Sequence, residues 1–138
     1  MTKCLHCQKL LLGYQRKYCS NLCQSKYQYK KYIASWKNGL VDGSRGINAK
    51  NISHHLARYL SEKFGEKCTL CGWNKINHLT GRVPLEIDHI NGNSDDNLET
   101  NLRLVCPNCH SLSSTYRNLN KGHGRTWRTD KYIKSPSN

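Results

Sequence analysis

Asp88 and His89 stand side by side in LEIDHINGN, residues 85–93, where an alternating run meets the Asn91-Gly92 turn signal. A carboxylate and an imidazole nitrogen are good ligands for a divalent ion when water and phosphate fill its other positions. Two protein ligands do not close a structural site, so such an ion would be catalytic or absent. Neighbours in a regular strand point to opposite faces, so Asp88 and His89 cannot both hold one ion without distortion. One is expected to ligate while the other acts nearby. An imidazole free of metal, titrating near neutrality, is a natural general base for a water. Plainer uses exist as well: Asp88 could cap the turn, His89 could be a satisfied core histidine, and His110 a polar neighbour of a metal.

The groups that must position these residues are eight cysteines in four close pairs: Cys4/Cys7, Cys19/Cys23, Cys68/Cys71 and Cys106/Cys109. Close pairs suit tetrahedral zinc knuckles, whereas disulfide frameworks tend to scatter their cysteines. The chain opens Met-Thr-Lys-Cys with no apolar run suited to a secretory signal, which points to zinc in a reducing, cytoplasmic setting. No stretch approaches the ~20 apolar residues of a membrane span. Staples are needed because only 36% of the 138 residues are apolar and a single one is Phe, too few for a large core.

The pattern predicts a small, zinc-stabilised α+β protein. Residues 1–38 read as a zinc ribbon: a knuckle, a short hairpin around Gly13, then a second knuckle opening a basic helix. Ser20 is the expected N-cap and Gly39 the stop. Leu22, Ile33 and Trp36 with Tyr29 and Tyr32 form the helix's apolar stripe, and Lys26, Lys30, Lys31 and Lys37 surround it. Residues 39–66 form a linker (39–51, three glycines and no apolar period) and an amphipathic helix over about 52–64, with Ile52, Leu56, Tyr59, Leu60 and Phe64 on one face. His54, His55, Arg58 and Lys63 lie on the others, and the two histidines read as surface residues rather than ligands.

Residues 67–117 hold the second cysteine framework. Thirty-four residues separate Cys68-x2-Cys71 from Cys106-x2-Cys109, too many for a simple finger. They must form a folded insertion clamped at its ends: a strand over about 83–90, the polar turn NGNSDDN, a second strand through Leu102, Leu104 and Val105, and a helix with Pro107 at its first position. His110 then falls in the first helical turn, and the clamp brings it near Asp88 and His89.

The formal charge of +13 is unevenly spread. Residues 1–41 carry eight Lys/Arg and no acid, 67–110 carry four basic and five acidic residues, and 111–138 carry six basic and one acidic. Two zinc ions on eight thiolates would lower the net charge to about +9. Basic ends around an acidic centre suggest arms that grip a polyanion.

Together LEIDHINGN, DDNLETNLRLVC and CPNCHSL resemble the His-Asn-His (HNH) nucleases, whose core is the ββα-metal or His-Me finger fold. The resemblance covers roughly residues 67–117, and the whole chain is similar to small HNH endonucleases of phages and mobile elements. It implies that Asp88 and His110 bind one Mg²⁺ or Mn²⁺ and that His89 deprotonates the attacking water. Asn101, opening NLRLVC, matches the central Asn that holds loop and base in position, with Asn97 as the lesser candidate. The implied function is hydrolysis of double-stranded DNA, of nicking or homing type, leaving 5′-phosphate and 3′-hydroxyl ends. The alternatives are a non-catalytic zinc protein that binds DNA or assists its packaging, and a nuclease acting on RNA.

For contact with DNA the expected residues are Lys30 and Lys31 on the first helix, Arg58 on the second, and Arg103, which alternates with the apolar residues of the second strand and could face phosphate. Arg117 follows the last helix, and a basic tail over 118–138 continues through Lys121, Arg125 and Arg128.

Overall fold

The computed structural model describes residues 1–46 and 49–120, which form two compact units, one of Met1–Asp42 and one from Gly43 onward. Lys121, Arg125 and Arg128 of the basic tail lie outside the described residues. No described helix is long and apolar enough to cross a membrane.

In the first unit the expected hairpin around Gly13 is replaced by a tighter device. Gly13 occupies a turn at φ 62°, but the pairing is a single antiparallel bridge between Lys3 and Leu10. It encloses the Cys4–Cys7 knuckle, in which the Cys4 N–H donates to the Lys9 carbonyl at 2.8 Å and the Gln8 N–H to the Cys4 carbonyl at 2.9 Å. Ser20 caps helix α1 (Asn21–Lys37), accepting from the Cys23 N–H at 3.2 Å, so the cap also seats the last cysteine of the tetrad. The helix ends in a Schellman turn. Gly39, at φ 72°, donates to the Trp36 carbonyl and Leu40 to that of Ser35, so the left-handed stop falls on a glycine. Cys4, Leu11 and Trp36 are the buried residues; Leu22, expected on the apolar stripe, is exposed.

The second unit starts inside the stretch read as a linker. Strands β1 (Ser44–Gly46) and β2 (Ala49–Ile52) pair antiparallel there. The ribbon delivers Ser53 as the N-cap of α2 (His54–Phe64), accepting from the Leu56 N–H at 3.1 Å. Leu56 and Leu60, four residues apart, are fully buried on the face that meets strand β4, and Gly65 at φ 72° ends the helix.

Strands β3 (Glu86–His89) and β4 (Leu102–Val105) form the central antiparallel pair, in the register Glu86↔Val105, Ile87↔Leu104, Asp88↔Arg103, His89↔Leu102. Helix α3 (Pro107–Ser111) follows at once, with Pro107 in its first turn and Cys106 as N-cap. The knuckle of Cys68 and Cys71 is tied to β4 through Thr69, whose N–H and hydroxyl both donate to the Leu104 carbonyl, at 2.9 and 2.7 Å. Cys68, Val105 and Cys106 make a small buried cluster on which Trp73, Leu85 and Cys109 pack. The strand–loop–strand–helix order expected for the insertion is therefore present, with its thiol clamp at the base.

Candidate active site

Each cysteine tetrad gathers four ligand sulfurs within 4.8 Å of one another, a geometry suited to one tetrahedral zinc. The two tetrads share an electrostatic pattern. Backbone N–H groups of Cys7, Cys19 and His6 outweigh burial and lower the Cys4 thiol to about 6. Burial pushes the Cys68 thiol up, but N–H groups of Cys106, Cys71 and Leu70 together prevail and bring it to about 6. Crowding by neighbouring thiols works the other way. Hydrogen bonds with Cys23 and Cys7 raise Cys19 to about 12, and those with Cys71 and Cys106 do the same for Cys109. One thiolate is thus favoured at each site, while another thiol must give its proton up when a metal arrives.

The alternation of β3 sorts its residues onto two faces. Glu86 and Asp88 share one, His89 the other. Asp88 is 4% exposed and sits directly across from Arg103. The Arg103 guanidinium donates from two nitrogens to the same carboxylate oxygen, Oδ2, at 2.8 Å (Nε) and 2.7 Å (Nη2). That leaves Oδ1, which faces His110 Nε2 at 3.8 Å. This separation is too long for a hydrogen bond yet less than twice a metal–ligand distance of about 2.1 Å. One small divalent ion can reach both atoms, so the donor set fits the cation expected for these residues.

His110 is held from its other side. Its Nδ1 is hydrogen-bonded to the Glu86 carboxylate, and the Tyr116 ring meets it edge-on at a centroid distance of 5.2 Å. On the opposite face of β3, His89 Nε2 lies 2.8 Å from Asn97 Oδ1. An amide oxygen only accepts, so with this amide orientation Nε2 carries the proton and Nδ1 keeps its lone pair.

The two asparagines divide one expected job. Asn101 Oδ1 accepts from the Asn91 N–H at 2.9 Å, its Nδ2 donates to Asn91 Oδ1 at 2.9 Å and to the Asp96 carbonyl at 2.8 Å, and its carbonyl accepts from the Ile90 N–H. It therefore ties both ends of the polar turn together. The contact with His89 belongs to Asn97 instead. Both side chains are buried, 7% exposed for Asn97 and 8% for Asn101.

Gly92 closes the turn, donating to the His89 carbonyl at 2.8 Å with φ 75°. A Cβ there would lie 2.3 Å from Asn120 Oδ1 and 2.8 Å from the Thr115 methyl, so this position needs glycine for space as well as conformation. Asn120 Nδ2 donates to the Gly92 carbonyl at 2.6 Å, which anchors the chain leaving α3 on the turn beside His89.

The expected DNA contacts fare unevenly. Lys30 and Lys31 project from α1 into solvent. Arg58 forms an exposed pair with Glu62 at 2.8 Å, and Arg117 stacks over the Tyr116 ring at 5.0 Å. Arg103, expected to face phosphate, is instead committed to Asp88. His54 is exposed and His55 half-buried at the start of α2. Sequence reasoning missed Glu86 altogether, although its spacing of two from Asp88 was a legible sign of a shared face.

A cysteine-clamped ββα unit that aims an acid and a histidine at one point defines a class, that of the ββα-metal nucleases. Residues 68–115 match the family model for HNH endonuclease. The chain is 43% identical over 95 residues to "H-N-H endonuclease F-TflIV" of Escherichia phage T5; the match takes in 69% of this chain and 40% of that protein. The chain thus spans about two-fifths of the length of the curated relative it matches. Comparison with solved structures gives no significant match. On the family match and this identity, residues 68–115 form a domain of the HNH endonuclease family.

Proposed function

We propose that this protein is a metal-dependent endonuclease that hydrolyses phosphodiester bonds of double-stranded DNA. One observation carries the reading: Asp88 Oδ1 and His110 Nε2 face each other across 3.8 Å, while His89 presents an unprotonated Nδ1 from the other face of the same strand. A satisfied core histidine or a mere cap needs no such convergence.

In this reading Asp88 and His110 hold one Mg²⁺ or Mn²⁺, and the two tetrads hold structural zinc. The divalent ion, when bound, supplies positive charge where negative charge grows on the scissile phosphate and its leaving oxygen. The remaining steps belong to the chain's own residues. His89 Nδ1 takes a proton from a water whose oxygen attacks phosphorus; the bond to the 3′ oxygen breaks, and that oxygen is protonated from solvent. The ends are a 5′-phosphate and a 3′-hydroxyl. Asn97 keeps the His89 ring turned and its Nε2 proton occupied, and Asn101 fixes the turn that carries them. Arg103 orients the Asp88 carboxylate and leaves one of its oxygens free. A single centre of this kind cuts one strand, so nicking is the expected elementary event.

Lys30, Lys31, Arg58 and Arg117 provide sequence-independent contacts to phosphate, extended by Lys121, Arg125 and Arg128 of the tail. The test is conversion of supercoiled plasmid to open circle with Mg²⁺ or Mn²⁺, comparing wild type with His89→Ala. Nicking by the wild type and its loss in the variant are expected. Equal inertness of both over a range of metals and substrates would remove the nuclease reading in favour of a DNA-binding zinc protein.

A further inference from the structure

We infer that Glu86 is a positioning residue that fixes the tautomer and ring orientation of His110, so that Nε2 is offered to the divalent ion. This role rests on the metal reading above and falls to a residue outside it.

Glu86 and Asp88 are two residues apart in β3, so their side chains leave the same face, and α3 packs on that strand. His110, in the last turn of this five-residue helix, is reached by both carboxylates, one at each ring nitrogen. The two contacts are of different kinds. Nδ1 is in hydrogen-bond contact with Glu86 Oε2, whereas Nε2 stands 3.8 Å from Asp88 Oδ1, beyond hydrogen-bond range. A carboxylate only accepts, so the Glu86 bond places the ring proton on Nδ1 and leaves Nε2 with its lone pair toward Asp88.

Glu86 acts through His110 rather than on the ion itself. Among the described residues, the groups of three or more whose ligand atoms gather within 4.8 Å are the two cysteine tetrads; Glu86, Asp88 and His110 do not make a third. A carboxylate behind a ligating imidazole raises its basicity and locks its orientation, and losing such a partner typically weakens metal affinity by about 10–100-fold. The Glu86 side chain is about half exposed (51%), so replacing it leaves no buried cavity, and its loss is felt at the ring.

The test uses the full-length, zinc-loaded protein. Long-range ¹H–¹⁵N spectra of the imidazoles, recorded before any divalent ion is added, should show His110 as the Nδ1–H tautomer in the wild type. In Glu86→Ala the Nε2–H form should become populated. Mn²⁺ affinity, measured by electron paramagnetic resonance, should fall by about 10–100-fold in Glu86→Ala. Glu86→Gln, whose amide oxygen can still accept from Nδ1, should restore most of it. Zinc content and tryptophan fluorescence should be unchanged in both variants. An unaltered tautomer together with unaltered Mn²⁺ affinity in Glu86→Ala overturns the inference. Asp88→Ala and His110→Ala separate the two levels. If both bind Mn²⁺ like the wild type, the metal reading fails and the role of Glu86 falls with it. If both lose the ion while Glu86→Ala keeps it, only the role of Glu86 is refuted.

Discussion

The two cysteine tetrads are alike as chemistry and unlike in what they carry. Each sets four sulfurs within 4.8 Å, lowers its first thiol to about 6 and raises another to about 12. In the first unit eleven residues separate the two cysteine pairs, and the second pair opens a 17-residue helix with basic residues in solvent and no acid before Asp42. In the second, thirty-four residues separate them, and the last pair opens a five-residue helix that ends just after delivering His110. The clamp is therefore neutral about function. On the proposed function, the same clamp would serve a grip in the first unit and a reaction centre in the second, the difference lying in the residues attached to it.

Breaking each clamp in turn should separate the two roles. Cys106→Ser is expected to unfold the second unit and abolish plasmid nicking, because a zinc site of this kind contributes folding energy directly. Cys4→Ser should leave nicking at high enzyme concentration and weaken DNA binding instead. Circular dichroism, zinc content and cleavage measured together check both outcomes.

Within the second unit, His89→Ala should lower the cleavage rate by about 10²–10⁴ with fold and zinc content intact, as loss of a general base does. Single-turnover rates at saturating Mg²⁺ measure it. The corresponding change at His6 of the first unit should leave the rate alone, sharpening the contrast between the units.

The shared thiol pattern makes a prediction about pH. Cys19 and Cys109, pushed up to about 12, hold protons at neutrality that zinc must displace, so affinity should rise with pH and fall as pH falls. Each displaced proton contributes about tenfold per pH unit. Below about 6 the dependence should steepen, because Cys4 and Cys68 then become protonated too. Competition with a chromophoric chelator between pH 5 and 8 reads the slopes. Markedly different slopes for the two sites would end the claim that they are electrostatic equivalents.

Gly92→Ala should destabilise the second unit by about 1–3 kcal/mol through its positive φ and the overlap with Thr115 and Asn120. Urea unfolding followed by tryptophan fluorescence tests this. The smallest effect is expected at the basic face of α1. Removing Lys30 or Lys31 should weaken DNA binding less than tenfold and reduce the log–log salt slope by about 0.9 for each phosphate left unneutralised.

Much of this was legible because it is local. Ser20 before an amphipathic run, Gly39 after it and Pro107 behind Cys106 each follow from backbone chemistry over a few residues, and each stands where expected. The ribbon at 44–52 was not legible, since a three-residue strand beside a four-residue one, rich in glycine and polar residues, has no apolar alternation to show. Asn101 and Asn97 illustrate the same limit inside the site. Both lie in one polar stretch, and nothing in their local spacing says which reaches a ring eight residues back.

By itself the sequence determined the ligand inventory, the clamp, the order of strand, turn, strand and helix, and the separation of Asp88 from His89 by strand alternation. Tertiary structure alone decided the partners. Arg103 closes on Asp88 over 15 residues, and Glu86 reaches His110 over 24. Those pairings depend on the register of β3 against β4 and on where α3 docks. A slip of one residue would turn Glu86 and Asp88 to the wrong face and present His89 instead.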